Sequence, residues 1–187
     1  MRYISHQQGV GLVEVMVALL LLAVAVLGFT ALQINALKAT DESLIRSRAM
    51  SISKKLSENM RLNSLAAGEF TKELNKLNAS ATDMTAYCNT VKQTGSQING
   101  SSCKATSCTV SEIAKVTSWE AASLACEKDI MLNMSTCPDM ADINSRQCII
   151  TSWGKTLPVL SNDNINACGN NDGTYKLGSS CLIMEAY

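Results

Sequence analysis

The sequence predicts an α+β fold. A long N-terminal α-helix, membrane-type in its first half and amphipathic in its second, is expected to pack on a small antiparallel sheet in a disulfide-rich head. Three observations carry that expectation. Val15 to Leu32 holds no charged residue. No proline falls between Val10 and Asn63. All eight cysteines lie from Cys88 to Cys181, where β-branched runs also appear.

The long helix comes first. Counted from Val10 to Leu32, the apolar segment makes roughly 34 Å of helix at about 1.5 Å per residue. That crosses a bilayer core of about 30 Å. Glu14 sits near the start of this segment, with Gly9 five residues before it. A charge in a membrane-length segment costs about 3 kcal/mol or more, so it needs a partner. From Gln33 the pattern becomes amphipathic. Leu37, Leu44, Ile45, Ile52, Leu56 and Met60 fall on one stripe, and Lys38, Asp41, Glu42, Arg46, Lys54, Lys55, Glu58 and Arg61 take the other faces. The first break after it is Ala66-Ala67-Gly68.

Three readings of the N-terminus compete. A cleavable secretory signal needs a shorter apolar region and a small-x-small site at its end. Ala23-Val24-Ala25 has that pattern but falls in mid-run. A plain signal anchor explains the length and leaves Glu14 unpartnered. A cut after Gly9 explains glycine, carboxylate and spacing together. Val10 then becomes a free amine at the membrane boundary, one helical turn from Glu14. In axially staggered subunits the amine of one reaches the Glu14 of its neighbour, and apolar surroundings strengthen such a charge-assisted contact.

The segment Gly9-Val10-Gly11-Leu12-Val13-Glu14-Val15-Met16-Val17-Ala18-Leu19 resembles the class III signal of type IV prepilins and type II secretion pseudopilins. Two positions depart from the family's habit: Val10 stands where Phe or Met is common, and Gly11 where Thr or Ser is frequent. Both departures point away from a major, filament-building subunit. Glu14 to Leu19 resembles the minor pilins of the pilus-modification (PilV) class and one minor pseudopilin class. The resemblance implies that residues 1–9 are a leader cut after Gly9 by a membrane aspartyl prepilin peptidase. It also implies that Val10 is N-methylated, with its charge kept, and that Glu14 is the assembly residue. Residues 10–32 are then the transmembrane or filament-core helix, 33–66 its amphipathic half and 67–187 a periplasmic head.

The head is read in order. Phe70 to Leu77 suits a short amphipathic helical stretch. Asn78 to Ser102 is polar and reads as loop, with one strand near Tyr87 to Val91. Thr109-Val110-Ser111-Glu112 has capping-box spacing, and Ile113, Val116, Trp119, Leu124 and Ile130 follow it, so Glu112 to about Lys128 reads as a second helix. Cys148 to Trp153 and Cys181 to Tyr187 are strands, with Met131 to Met134 a weaker third. Lys155 to Ser180 is a turn-rich excursion. Its cluster Asn162, Asp163, Asn164, Asn166, Asn170, Asn171 and Asp172 offers oxygen donors, but EF-hand spacing is not met, so solvated turns are expected.

Cysteine confined to one region indicates disulfides in an oxidising compartment. No Cys-x-x-Cys pair exists, and the single histidine, His6, lies in the leader, so no zinc or thioredoxin-type site can be written and no metal or cofactor is expected. The resemblance to pilin heads implies a Cys168–Cys181 staple of a C-terminal loop. Cys103 and Cys108 pair either locally or with Cys88 and Cys126.

Composition excludes other functions. The 16 basic and 16 acidic residues balance, and aromatics make up 4%, which argues against direct nucleic-acid binding. Ser-His or Cys-His catalysis needs a histidine that the head lacks. A carboxylate pair such as Glu120 with Glu127 or Asp129 is indistinguishable from surface charge, so no enzyme is expected. The expected function is a minor subunit incorporated into, or priming, a type IV pilus. Its partners would be other minor pilins, the major pilin, the prepilin peptidase and the inner-membrane assembly platform. It would reside in the inner membrane with its head in the periplasm, and then in the surface fimbrium, supporting adhesion, twitching motility or DNA uptake. The alternative is a minor pseudopilin of a type II secretion system. Such heads are often poor in cysteine, and the eight here favour the pilus.

Overall fold

A computed structural model of the chain describes residues 11–98, 108–138 and 146–186. Helix α1 runs Leu12–Leu62 without interruption. The chain divides into two units, the first ending at Ser43 and the second beginning at Leu44. In the first unit every described residue is exposed. Thr30 and Thr40 turn their hydroxyls back onto the helix, donating to the carbonyls of Leu27 and Ala36 at 2.9 Å each.

The second unit is an α+β head. A 3-10 turn, Ser64–Ala66, leads into α2, Ala67–Asn78. Helices α3, Met84–Ile98, and α4, Val110–Cys126, follow. Strands β1, Ile130–Thr136, β2, Gln147–Trp153, and β5, Cys181–Glu185, form an antiparallel sheet with β2 in the middle. Registers Met131↔Ser152 and Ser152↔Cys181 align the three. One face of β2, with Ile149 and Trp153, joins the main core, which also holds Leu56 and Met60 of α1, Phe70 and Leu74 of α2 and Tyr87 of α3. The other face, with Ile150, meets Cys168, Cys181, Leu160 and Ile183. The hydroxyl of Ser57 donates to the Ala186 carbonyl at 2.7 Å, which ties α1 to the end of the chain.

Four sequence expectations are corrected. The stripe of α1 that reaches the core begins at Ile45 and Ala49, whereas Leu37 and Leu44 are 64% and 47% exposed. Among the described residues none of α1 before Ile45 is buried.

The stretch read as loop with a strand near Tyr87 to Val91 is helix α3. Tyr87, Val91, Gly95 and Ile98 are its buried residues, at helical spacing. The Asp83 carboxylate accepts the Ala86 N–H at 2.8 Å, as an N-cap does. Thr90 and Thr94 satisfy their hydroxyls on Ala86 and Thr90 carbonyls, so their β-branching does not force a strand.

Helix α4 has the capping box: Glu112 N–H donates to the Thr109 hydroxyl, and Thr109 N–H to the Glu112 carboxylate. Its buried face is nevertheless the small-residue stripe Ala114, Ser118, Ala122 and Ala125. Ile113, Val116, Trp119 and Leu124 flank it, half-buried. Small residues let α4 approach α2 and α3 closely, and the larger side chains fill the sides.

The turn-rich excursion holds a parallel pair, β3, Leu157–Leu160, and β4, Ala167–Gly169. The weaker strand candidate at Met131 to Met134 is β1 in full, with its first five residues buried.

Candidate assembly site at the helix N-terminus

Gly11 opens α1, its carbonyl accepting the N–H of Glu14 at 2.9 Å and of Val15 at 3.3 Å. Glu14 therefore lies in the first turn, where the helix dipole favours a negative charge. Its neighbours are apolar and outward-facing: Leu12 is 76% exposed, Val13 71% and Val17 48%. Among the described residues Glu14 makes no ion pair and no side-chain hydrogen bond. Gly9 and Val10, the expected cleavage and methylation positions, lie outside the described residues.

The helix is long and apolar enough to cross a membrane. Taken together, the first half of α1 is a wholly exposed apolar surface with one carboxylate near its start. Such a surface is unfavourable in water by about 25 cal/mol per Å². It is suited to lipid or to other helices of the same kind.

The head is braced by disulfides. Cys168 and Cys181 are bonded with Cα atoms 5.7 Å apart, closing the C-terminal excursion. Cys137–Cys148 links the ends of β1 and β2, and Cys88–Cys126 links α3 to α4. Cys88 and Cys126 bond each other, so neither is available to Cys103 or Cys108. Cys108 is disulfide-bonded, and Cys103 lies outside the described residues.

The oxygen-rich cluster is used within its own turns. The side chain of Asn162 accepts Asn171 N–H, that of Asn164 accepts Asn166 N–H, and Asp172 accepts from Thr174. Those Thr174 bonds, its hydroxyl first, hold the Asp172 carboxyl below its ordinary range. The Lys176 ammonium donates to the carbonyls of Asn162 and Asn164 at 2.9 and 2.8 Å. Glu120, Glu127 and Asp129 are exposed side chains on or just after α4.

Two sequence families match the chain. Residues 4–30 match the prokaryotic N-terminal methylation motif. Residues 31–119 match the family described as type IV pilin Tt1218. No curated protein and no solved structure matches the chain significantly. The second match covers the amphipathic half of α1, α2, α3 and part of α4, and stops before the sheet. Pilins are structural proteins that associate with one another and are processed by prepilin peptidase, and the apolar helix suits membrane anchoring. Residues 4–119 thus join a prepilin-type methylation signal to a type IV pilin sequence pattern, and the function they indicate is pilus-related.

Proposed function

We propose that this protein is a minor pilin that helps start or cap a type IV pilus from the inner membrane. Gly9 is the residue before the cut, and Val10 is the methylated N-terminus of the mature chain. The head, folded in the periplasm, supplies contacts to other minor pilins and to the major pilin.

One observation supports this reading above the others. Glu14 is a lone carboxylate, without a partner in the described chain, on a helix half that is otherwise uncharged up to Lys38. Lipid offers that carboxylate nothing. The amine at Val10 of an adjoining subunit offers a charge-assisted hydrogen bond where water does not compete. Leaving lipid for a bundle of like helices then gains the pair without losing apolar burial.

The test has two parts. Mass spectrometry of the mature N-terminus is expected to give methylated Val10, and an intact Met1 or a start near Ala39 would reject the class. Glu14→Ala is expected to be processed normally and to be missing from sheared filaments. Unchanged incorporation would reject the pairing.

A further inference from the structure

Helix α2 and strands β1, β2 and β3 border a cavity of about 390 Å³, within the range of small-molecule sites. Asn133 of β1 enters it. This residue is 7% exposed, and its side-chain carbonyl Oδ1 has no hydrogen-bond partner. Ser135, two residues on and so on the same face of β1, also lines the cavity with a buried, unpartnered Oγ. Buried polar atoms in native proteins are almost always paired, so two such atoms lining one cavity call for an explanation.

The rest of the lining narrows the ligand. Asn75 of α2 and Asn171 bring two more carboxamides, both on exposed residues at the rim. Ile150, Val159 and Leu160 supply an aliphatic wall. Among the described residues no lining side chain is charged and none is aromatic. An anionic ligand would find no cation, and desolvating its charge there would be unfavourable. A planar base would find no ring to stack on. The unpaired carbonyl needs a donor, the hydroxyl takes either role, and the wall suits C–H groups. A pyranose ring carries hydroxyls at its edge and C–H groups on its face.

We propose that this cavity binds a neutral mono- or disaccharide, with a ligand hydroxyl or acetamido N–H donating to Asn133 Oδ1 and a second polar group paired with Ser135 Oγ. The inference does not depend on pairing at Glu14, since the cavity lies wholly in the head.

The experiment uses the full oxidised chain in phosphocholine micelles, which avoids sugar-headed detergents. Backbone amide NMR shifts are followed on addition of N,N′-diacetylchitobiose, lactose, glucuronic acid and the tetrapeptide Gly-Ser-Thr-Gly. Saturable shifts at Asn133, Ser135 and Leu160 with a neutral disaccharide are the expected result. Asn133→Leu is expected to fold with an unchanged or higher Tm, because it removes an unpaired polar atom, and to weaken binding by roughly tenfold or more. Asn171→Ala, at an exposed position, is expected to weaken binding several-fold and serves if Asn133→Leu does not fold. No saturable shift with either disaccharide overturns the proposal. So does binding unaffected by the substitutions, or glucuronic acid binding as tightly as the neutral sugars. Shifts from the tetrapeptide alone overturn it in favour of strand addition along β1.

Discussion

The indole of Trp119 on α4 lies directly against Gly95 of α3, and filling that glycine tests the packing of the head. A Cβ built at Gly95 lies 2.7 Å from Cζ2 and 2.8 Å from Cε2 and Nε1 of Trp119. Those are ring atoms of a rigid side chain, and the indole is held by its N–H donating to the Val91 carbonyl at 2.9 Å. The ring cannot swing aside without losing that bond. Nor can the helices part freely, because Cys88–Cys126 fixes their Cα atoms 5.7 Å apart.

Gly95→Ala therefore sets two effects against each other. Alanine in a helix interior gains about 1 kcal/mol over glycine. Overpacking costs about 1–3 kcal/mol, and the displaced indole bond about 1 kcal/mol more. The clash wins, and a net loss of about 2 kcal/mol is expected. For a unit of this size that lowers Tm by roughly 4–8 °C. The assay is thermal unfolding of the oxidised full chain in micelles, followed by near-UV circular dichroism. Trp119→Phe replaces the indole by a smaller ring that lacks the Nε1 and Cζ2 atoms the new methyl meets, so Gly95→Ala on that background is expected to cost about 1 kcal/mol less, as a double-mutant cycle reads it. A Gly95→Ala protein as stable as the parent, or more so, would refute the tight seating of Trp119 on Gly95.

The remaining predictions concern cross-links and protons. Removing Cys88–Cys126, which closes 38 residues, is expected to cost about 4 kcal/mol, and removing Cys168–Cys181, which closes 13, about 3 kcal/mol. Paired serine substitutions and denaturant titration give the ranking, and the reverse order would count against the loop-entropy account. Burial raises the Tyr87 phenol above its ordinary 10.0, with the bond to Leu132 opposing, so its neutral form is favoured by folding. Its contribution is complete below pH 10 and declines above it by up to about 1.4 kcal/mol per pH unit. Tyr87→Phe is expected to flatten that alkaline decline, and an unchanged slope would remove Tyr87 from it. Thr109→Ala removes the α4 cap and is expected to cost about 1 kcal/mol. The bonds from Thr109 N–H and then its hydroxyl lower the Glu112 carboxyl below its ordinary 4.5. The acid side of the box is therefore present above that pH and lost as pH falls through the lowered value, which an acid titration of the Glu112→Gln protein checks.

Legibility in the sequence follows how local each signal is. The continuity of α1 is written in the absence of proline, and the α4 cap in the fixed spacing of Thr109 and Glu112. Strand β2 is legible because Ile149, Ile150 and Thr151 are β-branched in a row. Helix α3 is harder to read. Asn, Thr, Ser and Gly are six of its 15 residues, and its four buried positions emerge only once Tyr87, Val91, Gly95 and Ile98 are set on a helical wheel with Asp83 as cap. The buried stripe of α4 is misleading for a different reason. Hydrophobicity points to Ile113 and Trp119, while proximity of two helices selects Ala114, Ser118, Ala122 and Ala125. Hydropathy measures what a residue gains by leaving water and says nothing about how close a neighbour must come. The Asn133 cavity has no local signature, since α2, three strands and Asn171 meet there from separate parts of the chain.

The two units of the chain meet the hydrophobic effect in opposite ways, and that contrast puts Glu14 at the centre of the proposed assembly. The head buries Phe70, Leu74, Tyr87, Ile130 and Ile149 within itself. Among the described residues none in the first half of α1 is buried. Lipid and a helix bundle cover its leucines about equally, because tails and side chains are alike apolar. Apolar area therefore cannot decide between membrane and filament, whereas a charge can. Under the proposed pairing both charge and reach matter. Glu14→Asp keeps the charge on a shorter arm, and Glu14→Gln keeps the arm without the charge. Incorporation into sheared filaments, measured by immunoblot, is expected to fall in the order Glu14, Glu14→Asp, Glu14→Gln. If shape were what the neighbour recognises, glutamine would outrank aspartate, and the amine at Val10 would have no part in drawing the helix out of the membrane.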